Sequence, residues 1–121
     1  MLPPKSLRFY AERFNTVEVD STYYALPAER NSKLWAERTP EGFLFNIKPF
    51  AVMTQHPAEM SRVPKALRQM LPAAQRNERQ LTLPPPDILD EVFGMFWSAM
   101  RPLRDANKLG MLAFQFAILY R

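Results

Sequence analysis

The chain has 121 residues, enough for one small domain or for part of a larger one, and 47% of them are hydrophobic. It contains no cysteine, which excludes disulfides, thiolate catalysis and zinc held by cysteine. No stretch approaches the roughly 18 uninterrupted apolar residues of a spanning helix, and the start lacks the apolar run of a signal peptide. We therefore expect a soluble, cytoplasmic protein that has no membrane partner.

The charge balance permits an anionic partner without specifying one. The formal net charge is +4 and the sequence pI is about 9.7. The densest basic group has no interleaved aromatic residues of the kind that stack on bases, and it comprises Arg62, Lys65, Arg68, Arg76 and Arg79. This spacing is typical of a solvated helix face, and nucleic acid stays the alternative partner.

The first elements in chain order are a helix and a strand. After the prolines at positions 3 and 4, apolar residues at i, i+3, i+4 and i+7 predict an amphipathic helix; they are Leu7, Tyr10, Ala11 and Phe14. Residues 16–20 then alternate as a strand does, with Val17 and Val19 on one face and Glu18 and Asp20 on the other.

A second helix and a second strand follow. Residues 27–38 predict a helix carrying Leu34 and Trp35, which ends before Pro40 because proline moves the preceding residue out of the α region. Residues 43–48 predict a strand with Phe45 and Ile47 on one face. The other face carries Leu44, Asn46 and Lys48.

Residues 49–86 form a proline-rich excursion with a loose pattern and one helix at about residues 62–71. A connection of this length usually serves a function or is partly disordered. We expect a lid-like insertion of low order.

The last elements are the most regular helix of the chain and a final strand. The helix runs from residue 87 to about residue 104, and its apolar stripe comprises Ile88, Leu89, Val92, Phe93, Phe96, Met100 and Leu103. We expect core positions for Trp35 and for Phe93, Phe96 and Trp97. Residues 111–116 are almost continuously apolar, which predicts a strand covered on both faces.

The alternation of helices and strands predicts an α/β fold with a parallel sheet and right-handed crossovers. The specific prediction is a partial TIM barrel with about three parallel strands and flanking helices, forming a single partial domain over residues 1–121. A closed barrel of eight strands normally needs about 250 residues. Because the leading helix has no strand before it, we expect the absent part to include the start.

Several ordered stretches carry a family resemblance. They are residues 10–24 (YAERFNTVEVDSTYY), 35–43 (WAERTPEGF), 108–110 (KLG) and 114–116 (FQF). In these stretches the chain resembles the YecE-like family, a domain-of-unknown-function family with a TIM-barrel-like fold. The resemblance implies a first strand with a Gly-x-x-Gly-Trp-like pattern, which would lie before residue 1, and prolines after Phe116, where this chain has residues 117–121. We therefore expect an N-terminal fragment of such a barrel, lacking the first strand.

Candidate site residues follow from the strand ends, because the active site of an α/β barrel lies at the carboxyl ends of its strands. Glu18 and Lys48, on neighbouring strands, are the candidate general base and electrostatic stabiliser, or simply a structural ion pair. The candidate substrate-binding residues are Asp20, Asn46 and Gln115.

The loops beyond the strands add further candidates. Ser21 and Tyr23, with Tyr24 beside them, follow the first strand and are candidate substrate contacts that could equally pack locally. His56, the one histidine, follows the second strand and is a candidate acid or base, or an ordinary loop residue. No metal-ligand spacing, phosphate loop or dinucleotide motif is present, so the sequence identifies no metal and no cofactor.

Three hypotheses for function remain open. In the first, the intact barrel binds or transforms a small polar substrate, such as a phosphorylated or sugar-like molecule, at the strand ends. In the second, the protein is a noncatalytic module associated with nucleic acid. In the third, the chain is a truncated, nonfunctional remnant that exposes sheet edges and aggregates.

Overall fold

The computed structural model describes residues 15–114. The helix predicted from residue 3 and the part of the last predicted strand that contains Gln115 lie outside this range. The elements in chain order are β1 (Thr16–Val19), α1 (Ser21–Tyr24), α2 (Glu29–Glu37), β2 (Leu44–Ile47), a 3-10 helix (Ala51–Thr54), β3 (Ala58–Glu59), a second 3-10 helix (Met60–Arg62), α3 (Lys65–Met70), α4 (Ala73–Arg76), β4 (Gln80–Leu81), α5 (Pro86–Ala99), α6 (Arg101–Asp105) and β5 (Leu109–Leu112). In this range no helix is long and apolar enough to cross a membrane.

The centre of the fold is a parallel sheet of three strands in the order β1-β2-β5. Val17 pairs with Phe45 and Val19 pairs with Ile47, so the apolar positions of β1 and β2 share a face, as their alternation predicts. On that face Phe45 and Ile47 are fully buried, and the Trp35 ring of α2 stacks on Phe45 with centroids 5.9 Å apart. The α/β class, the parallel sheet and the core position of Trp35 are confirmed.

Within residues 15–114, no helix or strand covers the opposite face of the sheet, which we call the open face. It carries Glu18 and Leu44, and the side chain of Leu44 is 41% exposed. On β5, Met111 is 67% exposed, so the expectation of a last strand covered on both faces is wrong for the described residues. The strand also begins earlier than predicted, at Leu109, because Phe45 of β2 pairs with Leu109.

A buried lysine joins the end of α2 to the start of β5. Lys108 is 8% exposed, and its Nζ donates hydrogen bonds to the carbonyls of Ala36 and Thr39, both at 2.6 Å. The Thr39 hydroxyl donates to the Trp35 carbonyl at 3.0 Å. Since the last carbonyls of a helix have no partner within the helix, these donors satisfy the C-terminal end of α2.

The excursion over residues 49–86 is ordered, so the prediction of low order is wrong. It contains two 3-10 helices, α3, α4 and the antiparallel pair β3–β4. The helix predicted near residues 62–71 is found as α3. The excursion contributes apolar side chains that are almost wholly buried: Phe50, Ala51, Val52, Met53, Ala58, Met60, Val63, Leu67, Leu71 and Leu81. Its prolines mark turns between short elements that pack on one core, and this packing supplies the order.

The predicted helix over residues 87–104 is two helices, α5 and α6, which meet at Met100. Pro102 lies in the first turn of α6, where its missing N–H does not interrupt helical hydrogen bonds. Ile88, Val92 and Phe96 are buried, but Phe93 and Trp97 are 38% and 46% exposed, so the core assignment of these two aromatics is wrong. Phe93 and Trp97 lie at the side of the apolar stripe of α5, where the helix surface no longer packs against the core.

Candidate functional site

The carboxyl ends of the three parallel strands meet at one edge of the sheet. Residues that follow β1, β2 and β5 surround a pocket of about 150 Å³ there; its lining is Tyr23, Lys48, Pro49, Thr54, His56 and Ala113. We call this the strand-end pocket. Parallel strands place their carboxyl ends together, and in open and closed α/β sheets that edge is the usual ligand site.

Thr22 fixes the first wall of the strand-end pocket. It is 1% exposed, and its hydroxyl lies 2.5 Å from the Lys48 carbonyl, to which it donates. The same hydroxyl lies 3.4 Å from the Val19 carbonyl. Because Val19 ends β1 and Lys48 follows β2, this one side chain ties the short helix α1 to both strand ends and presents Tyr23 to the pocket.

Lys48 supplies the positive charge of the pocket. Its Nζ lies 4.0 Å from Asp20 Oδ1 and 5.7 Å from the centroid of the Tyr23 ring. The two charged side chains are 36% and 60% exposed, so the ion pair is screened by water and contributes little to stability. Lys48 is therefore held loosely enough to turn toward a bound anion.

His56 forms the second basic wall of the pocket. Its Nδ1 lies 3.0 Å from the Thr54 hydroxyl, which itself lies 3.2 Å from the Ala51 carbonyl. A hydroxyl has a single proton, so with that proton donated to Ala51 the imidazole must donate from Nδ1. We assign this tautomer, which leaves Nε2 as the second nitrogen available for a ligand. The Tyr23 ring contacts the imidazole edge-on, with centroids 5.6 Å apart.

A larger hollow of about 1090 Å³ lies within the excursion, lined by residues of the antiparallel pair β3–β4, of α4 and of the segments next to them. Its lining includes Glu59, Gln75 and Arg79, and none of its residues follows a strand of the parallel sheet. We place the candidate site at the smaller strand-end pocket, since that pocket gathers a cation, an imidazole and hydroxyls at the sheet edge. Among the residues that the structure describes, no group of three His, Cys, Asp or Glu side chains is close enough to hold a metal ion.

Comparison with known proteins gives the family. The sequence model of a family described as "Protein of unknown function DUF72" matches residues 1–121. The chain belongs to the DUF72 family. The UPF0759 protein YunF of Bacillus subtilis (strain 168) is 33% identical over 112 residues, which cover 93% of this chain and 32% of that protein. The YecE-like family is the same family, so the resemblance found in the sequence is confirmed.

Solved DUF72 structures share the fold. Two crystal structures of a DUF72 family protein from Enterococcus faecalis V583 align with TM-scores of 0.64 and 0.62 at 23% sequence identity. The alignments cover 93% of this chain and 36% and 32% of those chains. The chain thus spans about a third of the length of the relatives it matches, and those relatives carry only names of unknown function.

This DUF72 chain brings four of the predicted site residues together: Asp20, Tyr23, Lys48 and His56. Glu18 is exposed on the open face of the sheet, one strand position before Val19, and lies opposite Asn46 in the register. Ser21 begins α1 beside them. Gln115 lies outside the described residues.

Asn46 has a structural task in addition to its predicted one. Its Nδ2 donates to the Thr16 hydroxyl at 3.2 Å, and its Oδ1 accepts the Met111 N–H at 2.8 Å. The pairing of β2 with β5 is irregular at this point, and a side chain on Gly110 would collide with Asn46 Oδ1. The Asn46 amide therefore joins all three strands on the open face.

Two residues of the site were missed in the sequence, Thr22 and Thr54. Both side chains are buried. The Thr22 hydroxyl bonds to the carbonyl of Lys48, far away in the chain, and the Thr54 hydroxyl bonds to the nearby carbonyl of Ala51. Thr54 stands two positions before His56, and this spacing is the one local signal that could have suggested it. Nothing local marks Thr22, because its main partner, the Lys48 carbonyl, is reached only through strand pairing.

Proposed function

We propose that this segment is part of a larger α/β barrel whose strand-end pocket binds a small polar ligand through an anionic group, such as a phosphate. The observation that carries the proposal is the convergence of Lys48, His56 and Tyr23 at the carboxyl ends of parallel strands. A single partial domain over residues 1–121 and a cytoplasmic location, both expected from the sequence, belong to the same proposal.

The open sheet face supports the barrel. Parallel sheets are normally covered on both faces, because their crossover helices or further layers shield them from water. Here the helices cover one face, while Leu44 and Met111 on the other are exposed. In a barrel the open face would become the interior, and Glu18 and Asn46 would point into it. A partial TIM barrel is the architecture that uses this face best.

The dimensions and chemistry of the pocket favour a small anionic group. Ligand sites for drug-sized molecules have volumes of about 300–1,000 Å³, so a pocket of about 150 Å³ accepts a small ligand or one group of a larger one. The Lys48 ammonium offers three N–H donors as a point charge, and the Tyr23 hydroxyl adds another. His56, with its proton on Nδ1, accepts at Nε2 and therefore suits a protonated oxygen of the anionic group.

If the barrel is an enzyme, the residues divide by position. Lys48 would stabilise negative charge that develops on the ligand, and His56 would transfer a proton through Nε2. Glu18, deeper on the open face, would serve as general base. Asp20, Ser21, Tyr23, Asn46 and Gln115 stay predicted substrate contacts, with the Asp20 carboxylate as an acceptor for a ligand hydroxyl.

The test is the binding of inorganic phosphate to the 121-residue chain, measured through the NMR chemical shifts of the His56 ring. Lys48→Met removes the charge while keeping the length of the side chain, and we expect phosphate affinity to fall by about tenfold, as the loss of a charge-assisted contact requires. Lys33→Met, on the exposed side of α2, is the matched control and should bind as the original chain does. Equal phosphate affinity in Lys48→Met, with circular dichroism unchanged, would overturn the proposal.

A further inference from the structure

A second pocket adjoins the strand-end pocket. It has a volume of about 260 Å³ and is formed between α1 and the excursion. Its lining is Tyr23, Tyr24, Ala51, Pro57, Ala58, Glu59, Arg62 and Gln80. Tyr23 lines both pockets, so the two pockets lie next to each other at this one side chain.

The second pocket offers an aromatic surface. Tyr24 is 60% exposed, and its ring is held by an edge-to-face contact with Tyr23, with ring centroids 5.1 Å apart and an interplanar angle of 83°. An exposed aromatic ring in a fixed orientation binds flat apolar surfaces, including the C–H face of a sugar ring, at little cost in conformational entropy.

Hydrogen-bonding groups line the same pocket as this ring. Glu59 and Gln80 are paired residues of the antiparallel strands β3 and β4, and this pairing keeps their side chains adjacent. Arg62 Nε lies 3.5 Å from Glu59 Oε2. Together these side chains provide a carboxylate, an amide and a guanidinium, which donate to and accept from neighbouring hydroxyl groups.

We propose that the ligand of this site is a phosphorylated sugar, with its phosphate at Lys48 and His56 and its ring in the second pocket between Tyr24 and Gln80. This inference rests on the proposed function and adds the ligand class to it. An anion-binding end and a separate end with an aromatic face and polar rim match the two parts of such a molecule. The excursion thereby acts as the wall that selects the sugar.

The experiment compares inorganic phosphate, glucose and glucose 6-phosphate as ligands of the 121-residue chain by NMR titration. In the original chain we expect glucose 6-phosphate to bind about tenfold more tightly than phosphate, because both pockets contribute. In Tyr24→Ala this advantage should fall to about twofold or less while phosphate affinity stays the same. Trp97→Ala, which removes another exposed aromatic from α5 outside both pockets, is the control and should retain the advantage.

The outcomes separate this inference from the proposed function. If glucose 6-phosphate binds no more tightly than phosphate, or keeps its advantage in Tyr24→Ala, the second pocket does not hold the sugar and the inference is overturned. Loss of phosphate binding in Lys48→Met would in either case still support the strand-end pocket. Should Tyr24→Ala fail to fold by circular dichroism, Gln80→Ala on β4 carries the same test, with the same expected loss of advantage.

Discussion

The nearest negative charge to Lys48 is the Asp20 carboxylate, 4.0 Å from its Nζ. A ligand anion at Lys48 would therefore approach a like charge as well as an opposite one. Two unit charges about 6 Å apart in a dielectric close to that of water interact by about 0.7 kcal/mol. Asp20 should thus weaken phosphate binding at the strand-end pocket while remaining suited to a ligand hydroxyl.

This balance gives a prediction at the residue scale. Asp20→Asn should bind inorganic phosphate about threefold more tightly, since it removes the repulsion and keeps the shape of the side chain. The gain should shrink as salt is added, because ions screen exposed charges. Isothermal titration at two salt concentrations measures both effects. Asp90→Asn on α5 removes the same charge outside the pocket and serves as the control; weaker binding in Asp20→Asn would contradict the prediction.

At the scale of elements, Lys108 links two units that are distant in the chain. Its ammonium satisfies the carbonyl end of α2, and its backbone leads directly into β5. Asn107 precedes it with a φ of 56°, and the Lys108 N–H donates to the Leu103 carbonyl at 2.8 Å, which closes α6. Asn tolerates this left-handed conformation better than most residues. One short segment thus ends two helices and starts a strand.

Removing the Lys108 ammonium should therefore destabilise the fold. Lys108→Met keeps the aliphatic stem but leaves the carbonyls of Ala36 and Thr39 without these donors, and we expect the free energy of unfolding to fall by about 2–4 kcal/mol. Urea denaturation followed by circular dichroism measures the change. Lys33→Met, at an exposed position on α2, should change stability by less than about 0.5 kcal/mol. A similarly small effect at Lys108 would show that water replaces the ammonium.

At the scale of the whole molecule, the open sheet face dominates the expected behaviour. Within residues 15–114 the sheet has edges at β1 and β5, and an exposed edge strand is a template for association with another chain. Met111 is 67% exposed on β5, on the same face of the sheet as Leu44, which is 41% exposed. The 121-residue chain on its own should therefore self-associate, as the hypothesis of a truncated remnant also requires.

The prediction is that Met111→Lys raises the concentration at which the chain self-associates by about tenfold, because a charged side chain on an edge strand opposes pairing. Sedimentation velocity over a concentration series measures this shift. Met70→Lys introduces the same charge at an exposed methionine of α3, away from the sheet, and should leave association unchanged. A chain that is monomeric at all concentrations and melts cooperatively would contradict both this prediction and the remnant hypothesis.

The nucleic-acid alternative depends on the arrangement of basic residues. Arg62 pairs with Glu59, and Arg76 Nη2 donates to the Leu71 carbonyl at 3.0 Å. Arg62 and Arg76 therefore already have partners within the excursion, and neither contact places an aromatic ring beside the basic residues. Nucleic-acid binding stays a prediction. It requires an affinity for DNA or RNA that falls steeply as the salt concentration rises.

Three local features follow from sequence patterns alone. They are the alternation that gives β1 and β2 a buried and an open face, the end of α2 before Pro40, and the polar residues Asp20 and Lys48 after their strands. Each of these features depends on the period of one element or on one backbone restriction, and none of them needs a distant partner.

Which distant residues meet depends on how the whole chain folds. The contact of Thr22 with the Lys48 carbonyl, the Asn46 bridge across the sheet and the shared wall at Tyr23 join segments that no local pattern connects. The order of residues 49–86 has the same origin, since short elements between prolines become stable only by burying side chains against a common core. Packing of the whole chain, rather than any local preference, thus brings separate candidate residues to two neighbouring pockets that share Tyr23.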